Sequence, residues 1–543
     1  VSNNKDKSFM RHLKQNSKNG NLFSTYQLFE FYSNDKNILS SSEKKEKYFQ
    51  KCKAFIEALI EKPLIAGLSP KNRFVLDTLK LIDIKKFHSL NIEFEDDLTV
   101  IIGENGLGKT TILQCIAKTL SWITSNLIKE NGNGSLLNYN DIKNDAKDNG
   151  EILTKFKYGN QYVNASLARS VKGVAKKKDS SVMNLKSIAS IWRVVNSQNQ
   201  INLPLFINYS VNRFCQKLKP ASSTLLDLEN RFDVYDDCLK DEKALGHFGE
   251  WFIRLNKKGK KINLNSYYQK ELKQRIKQLL PQENIEIDES ILLNLILEQS
   301  SQINNLKSDD DENYKKIEIL KQAIKQCMPE INDIYVDISS GRDEIFIQLG
   351  NEKLNINQLS DGQKIFLGIV ADLTYRLLIL NPKLENPLNG QGIVLIDEIE
   401  LHLHPKWQQD ILINLTKTFP NIQFVVTTHS PQVLSTVYKR QIRQILETDE
   451  NVFITRRPEF QTRGVMSSDV LEQIMNTKSV PDIAEVKKLH EFYQYIQENK
   501  FNTSEAENLF SELTKHFGSD HPEILKCKNL IEFKKFIVKK NNH

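Results

Sequence analysis

The stretch TVIIGENGLGKTTILQCIA, residues 99–117, constrains this chain more than any other. An apolar run meets a glycine-framed loop, and an apolar run of helical period follows. Gly103, Gly108, Lys109 and Thr110 stand at the G-x-x-x-x-G-K-[ST] spacing, which calls for a strand, an anion-cradling turn and a helix in that order. Gly103 and Gly108 let the backbone wrap round a phosphate chain with its N–H groups inward, while the helix behind offers its positive end. Glu104, Asn105, Gly106 and Thr111 complete the loop and the first helical turn. Lys109 is placed to reach the β and γ phosphates of a nucleotide, and Thr110 to set a hydroxyl on Mg2+.

Composition narrows the setting. The 543 residues are 39% hydrophobic and 26% charged, ordinary for a chain able to bury a large core. At roughly 150 residues per domain, three or four domains fit. No segment approaches the roughly 18 consecutive apolar residues of a membrane span, and the polar start VSNNKDKS lacks a secretory apolar region. A cytoplasmic protein without a membrane partner is expected. Cys52, Cys115, Cys215, Cys238, Cys327 and Cys527 are dispersed without C-x-x-C pairs, so reduced, buried thiols are expected rather than a zinc site or disulfides. The net charge of +7 is mild. Lys176, Lys177 and Lys178, and the run Lys257 to Lys261, are either solvated loops or an electrostatic footprint for nucleic acid.

Along the chain, residues 1–68 carry helical spacings at Phe9 and Leu13, at Tyr26, Phe29 and Tyr32, and at Tyr48, Cys52, Phe55 and Leu59. They predict a helical pair or trio similar to a degenerate tetratricopeptide or Sel1 repeat. Such a unit is too short to stand alone and either packs on a neighbour or docks a partner. Residues 69–254 turn to strands: LKLIDIKKF, HSLNIEFEDD and LTVIIG before the loop, a pair EILTKFKYGN and QYVNASLARSVKG, and LPLFINYS. Residues 255–330 read as a helical insertion whose arms, folded as a hairpin, reach only about 50 Å, which excludes long coiled-coil arms. Residues 331–465 return to strands with DIYVDISS and EIFIQLG, and residues 466–543 read as a helical, partner-binding region.

Three further motifs follow the loop in order. LSDGQ places Ser360, Gly362 and Gln363 where a helix begins, the arrangement that aims N–H groups at an anion. GIVLIDEIELHLHP ends an apolar strand in Asp397 and Glu398; Asp397 is placed to hold Mg2+, and Glu398 to orient and deprotonate an attacking water. A strand from Phe424 to Thr427 leads to His429.

Together these motifs resemble the ABC-type ATPase superfamily over about residues 75–465. LHLHP, with TTHSPQVLS after the next strand, is similar to the RecF and OLD branch of soluble ATPases. ENRFDVYDDCL, HFGEWF, the short insertion and the N-terminal unit resemble the PtuA-type ATPases of Septu and retron-associated anti-phage defence systems. The resemblance implies an α/β fold: an ABC-type P-loop head of mixed sheet and antiparallel lobe, with helical appendages. It implies ATP and Mg2+ as ligands and a homodimer, or higher oligomer, paired head-to-tail. Lys109, Thr110, Asp397, Glu398 and His429 would act in one copy, His429 contacting the γ-phosphate, and Ser360, Gly362 and Gln363 would complete the site from the other. It further implies a PtuB-like HNH nuclease, a retron reverse transcriptase and its RNA-linked DNA as partners, with the ATPase gating the nuclease. A RecF-like DNA-binding repair clamp and an OLD-type nuclease stay open as alternatives.

The chain departs from the superfamily pattern at Asp361, in place of the first glycine of LSGGQ, and at Ile399, where proline often follows the catalytic glutamate. Gln161 is the candidate for the Q-loop glutamine. Arg213 is either a phosphate-facing group or a surface arginine at a strand end.

Overall fold

The computed structural model describes residues 2–34, 41–58, 71–173, 178–198, 200–211, 231–239, 249, 251–256, 312–337, 343–450 and 452–541. The chain divides into two compact units, Val1–Val465 and Met466–His543.

The first unit opens with helices α1 (Ser2–Lys18), α2 (Leu22–Ser33) and α3 (Ser42–Ile56). Strands β1 (Phe74–Ile84), β2 (Phe87–Glu93) and β3 (Leu98–Ile102) lead into α4 (Lys109–Ile128), followed by β4 (Asn149–Tyr158), β5 (Gln161–Ser170), α5 (Met183–Gln198) and β6 (Leu205–Tyr209). A helix over 312–327 precedes β7 (Ile331–Asp337), β8 (Glu344–Leu349) and β9 (Glu352–Asn355). Then come α6 (Asp361–Leu380), β10 (Gly392–Ile396), α7 (Pro405–Thr418), β11 (Ile422–Thr427), the short α8 (Pro431–Leu434), β12 (Ile442–Glu447) and β13 (Phe453–Arg456).

The main sheet has six strands in the order β13-β12-β3-β11-β10-β6, parallel except for β13 at one edge. β3, β6, β10 and β11 are buried along their whole length, as parallel strands covered on both faces must be, and this is why they read as unbroken apolar runs. Register decides where the site lies. Ile396 faces both Val426 and Tyr209, and Thr427 faces Ile101, so β3, β10 and β11 end side by side. The residues after these strands share the carboxyl edge of the sheet, where open α/β sheets bind ligands.

β2-β1-β4-β5 form the expected antiparallel lobe. Two glutamines stitch it to the main sheet. Gln423, fully buried in β11, accepts from Leu76 N–H at 2.7 Å and donates to the carbonyls of Leu76 and Glu95 at 2.8 Å each. Gln391 accepts from Phe74 N–H at 2.8 Å. The chain thus adopts the ABC-type α/β architecture of mixed sheet and antiparallel lobe, joined by a small sheet, β7-β8-β9.

The N-terminal helices pack on the lobe: Asn72 donates to Phe55 O at 2.6 Å, and the Phe55 ring meets Tyr158 edge-on at 5.1 Å. Of the helical insertion, the structure describes little beyond the helix over 312–327; residues 257–311, with Lys257 to Lys261, lie outside the described residues, as do Cys215, Lys176 and Lys177.

Several elements went unread in the sequence, α5, α7, α8, β9, β12 and β13 among them. α5 had a usable signal, since Leu185, Ile188, Trp192 and Val195 recur at helical spacing and all are buried. β12 hid because it buries Arg443 and Gln444; the Arg443 guanidinium donates to Glu93 O at 2.7 Å and to Glu95 at 2.9 Å, so polar residues occupy core positions. β9 and β13 are four residues each, too short for a period to show.

The second unit holds α9 (Ser467–Gln473), and α10 (Ala484–Gln497), α11 (Ser504–Phe517) and α12 (Pro522–Asn541) pack around a core of Leu489, Phe492, Ile496, Leu513, Ile524 and Cys527. Its described residues contain no strand, so the sheet-based metal-binding domain required by the OLD-type alternative is absent among them. Among the described residues no helix is long and apolar enough to cross a membrane.

Candidate functional site

The phosphate loop spans residues 103–108 between β3 and α4, with Glu104, Asn105 and Gly106 exposed at its tip. Gly108 has φ +87, and a Cβ there would lie 2.5 Å from the Phe87 ring, so only glycine fits. The β1–β2 turn lies under the loop, and from it Lys86 donates to Gly106 O. Lys109 is buried and folds back over the loop: Nζ donates to Gly103 O at 2.8 Å and Glu104 O at 2.9 Å. Burial lowers its pKa, while the carboxylates of Asp397, Glu398 and Glu400 oppose that shift. Thr111 follows, half-buried, in the first turn of α4.

Asp397, buried at the end of β10, joins this loop to two other segments. Thr110 Oγ1 donates to its Oδ2 at 2.7 Å, and Thr427 Oγ1 donates to its Oδ1 at 2.5 Å. Thr427 Oγ1 also accepts the Glu398 N–H at 2.8 Å, so one threonine fixes both members of the acidic pair. Glu398 has φ +47, a left-handed backbone that costs a side-chain-bearing residue about 1 kcal/mol. Ile399 explains its own departure from proline: its N–H donates to Thr427 O at 3.1 Å, a bond proline cannot make.

Beyond β11, the structure adds a residue that the sequence reading missed. Glu400 accepts from Thr428 Oγ1 at 2.7 Å through one oxygen and from His429 N–H at 2.5 Å through the other. His429 is half-buried, and burial followed by the Lys109 charge lowers its pKa, against the opposing pull of Glu400, Glu398 and Asp397. Thr427 and Lys86 were also unread. Ordinary strand-end and turn residues carry no motif, and only the folded register gives them partners.

Ser360, Gly362 and Gln363 stand at the start of α6. Ser360 is the N-cap: its Oγ accepts from Gln363 N–H at 3.3 Å, and Gln363 Oε1 accepts from Ser360 N–H at 3.0 Å and from its hydroxyl at 3.1 Å. This reciprocal capping box is worth about 1 kcal/mol. Gly362 is buried against the loop after β10, where a Cβ would lie 2.2 Å from His402 O. Asp361 sits in the first helical turn, favourable for a carboxylate; its side chain is 82% exposed and 3.5 Å from Lys364.

Gln161 is a correction. Its side chain accepts from Leu22 N–H at 3.0 Å and donates to Gly20 O at 2.9 Å, so it ties the N-terminal helices to β5 and does not serve the phosphate loop. Arg213 lies outside the described residues.

The donor set fits a magnesium nucleotide. Thr110 and Asp397 supply a hydroxyl and a carboxylate, hard oxygens of the kind Mg2+ takes. Among the described residues no cluster of three or more His, Cys, Asp or Glu could hold a metal ion.

Comparison with known proteins gives the family of the chain. The family described as "AAA domain, putative AbiEii toxin, Type IV TA system" matches residues 236–435, and one described as "AAA domain" matches residues 78–332. The chain is 31% identical over 483 residues to the retron Vc95 probable ATPase of Vibrio cholerae serotype O1 biovar El Tor, covering 86% of this chain and 88% of that protein. The chain belongs to the retron ATPase family. As a retron ATPase it is an enzyme of anti-phage defence that binds and hydrolyses ATP. Another retron ATPase, the retron Ec83 probable ATPase of Escherichia coli, is 28% identical over 96% of both chains. The Septu protein PtuA of Bacillus thuringiensis is 22% identical over 78% of this retron ATPase and 90% of PtuA. Among solved structures, the Smc head domain of Pyrococcus furiosus is similar at 14% identity and a TM-score of 0.38, over 70% of this chain and 96% of that one.

Proposed function

We propose that the chain is the ATP-hydrolysing regulatory subunit of a cytoplasmic anti-phage defence complex, gating a PtuB-like HNH nuclease held with a retron reverse transcriptase and its RNA-linked DNA. The observation that carries its ATP-hydrolysing part is the convergence of the phosphate loop, Asp397, Glu398 and His429 at the carboxyl edge of one parallel sheet, and the likeness to retron and Septu ATPases supports the rest.

In this reading the reaction is ATP plus water to ADP plus phosphate. The loop amides and Lys109 hold the β and γ phosphates. Thr110 and Asp397 would hold Mg2+, which when bound neutralises phosphate charge. Glu398 orients the attacking water and takes its proton, and His429 contacts the γ-phosphate. Ser360, Gly362 and Gln363 serve the phosphate bound by a second copy, paired head-to-tail. The exposure of Ser360 at the start of α6 supports this division.

Mixing two inactive variants tests the shared site. Lys109→Ala and Ser360→Arg should each turn over poorly alone, and mixing them should restore activity, because a mixed pair keeps one intact site. No recovery on mixing would overturn head-to-tail pairing. Purification from the native host should bring down a nuclease, a reverse transcriptase and an RNA-linked DNA together. If the purified chain alone cuts DNA with Mg2+, the regulatory role is excluded.

A further inference from the structure

We infer that Glu400 is a positioning residue for turnover: its carboxylate clamps the Thr428–His429 segment to the loop that carries Glu398, and so sets where the His429 ring meets the γ-phosphate. The inference rests on the reading of His429 as the group that contacts this phosphate.

β11 stops at Thr427, and beyond it the chain leaves the ladder. Thr428 N–H still reaches Ile101 O at 3.3 Å, but His429 N–H has turned to a side chain, Glu400 Oε1, at 2.5 Å. The other Glu400 oxygen takes the Thr428 hydroxyl at 2.7 Å. Two charge-assisted bonds from one planar group to adjacent residues fix both the position and the orientation of that segment. Glu400 is itself held, since Leu403 N–H donates to Glu400 O at 2.9 Å and Leu401 N–H to Glu398 O at 3.0 Å. The Glu398 loop and the His429 segment therefore move as one body. Misplacing a catalytic group by about 1 Å costs on the order of a hundredfold in rate, so losing the clamp should act on turnover before binding.

Four variants test this with single-turnover hydrolysis and ATP affinity measured side by side. Glu400→Ala should lower the rate about a hundredfold while ATP affinity stays within about threefold. Glu400→Gln, whose amide can accept from His429 N–H and donate to Thr428 Oγ1, should recover at least about tenfold of that loss. Glu400→Asp keeps the charge but falls one methylene short, and should do worse than Gln. Glu400→Ala combined with His429→Ala should be no slower than His429→Ala alone, because residues acting as a unit are not additive.

Asp outperforming Gln would overturn the clamp in favour of charge, and multiplicative losses in the double variant would overturn action through His429. Full activity of Glu400→Ala beside an impaired His429→Ala would sink the clamp and spare the γ-phosphate reading. Full activity of His429→Ala would sink that reading, and the clamp's purpose with it.

Discussion

Thr110 and Asp397 stand 287 positions apart in sequence, yet the hydroxyl of one donates to the carboxylate of the other across 2.7 Å. The contact joins the first turn of the helix behind the phosphate loop to the end of a strand two places away in the sheet. Because Thr427 holds the other Asp397 oxygen, the start of one helix and the ends of two strands meet on one carboxylate. The hydroxyl and carboxylate that would hold Mg2+ are thus set by the sheet itself, before any ligand arrives.

Lys109→Ala should weaken ATP binding at least about a hundredfold, on the order of 3 kcal/mol, since it removes a charged donor at the β and γ phosphates. Titration calorimetry with a slowly hydrolysed ATP analogue measures it. Affinity within threefold of wild type would remove Lys109 from the phosphate site.

Glu398→Gln should bind ATP normally and turn over about a hundred- to ten-thousandfold more slowly, because an amide cannot take the proton of water. The backbone at 398 is tied by its N–H to Thr427, so the variant should fold. Light scattering with ATP should find it as a longer-lived pair of chains; wild-type turnover would refute the assignment.

Gly362→Ala brings a Cβ to 2.2 Å from a backbone oxygen, His402 O, which no side-chain rotation relieves. The start of α6 must shift, at a cost of about 1–3 kcal/mol. Thermal unfolding should report a lowered midpoint, and an unchanged one would mean the two segments part easily.

Gln423→Ala leaves Leu76 N–H and two carbonyls unpaired between the two sheets. Stability should fall by about 3 kcal/mol through lost bonds and buried unsatisfied groups. Denaturant unfolding followed by tryptophan fluorescence is the direct measurement.

The pKa of His429 lies below its ordinary value of 6.5, because burial and then Lys109 disfavour the imidazolium. The unfolded chain therefore takes up the proton first as pH falls, and stability present above 6.5 is lost progressively below it. The melting midpoint should drop as pH falls through this window, less steeply in His429→Gln. Equal slopes in the two proteins would show that His429 is not the group responsible.

The P-loop, the strand before it, the apolar runs of β6, β10 and β11, and the order of the motifs were all legible in the sequence. Each is local: a glycine spacing, an unbroken apolar run or a cap written in consecutive residues, as with Ser360 and Gln363. Gln161 misled because a glutamine near the expected place carries no sign of its partner, and only folding put it beside Gly20 and Leu22. Glu400 and Thr427 gave no signal for the same reason, since their bonds cross between neighbouring strand ends whose register no short motif encodes. Sequence alone determined that this chain presents a phosphate-binding loop and an acidic strand end in an α/β sheet. Tertiary structure decided which side chains hold those two parts together, because parallel pairing brings distant residues to one edge, where burial requires each polar group to find a partner.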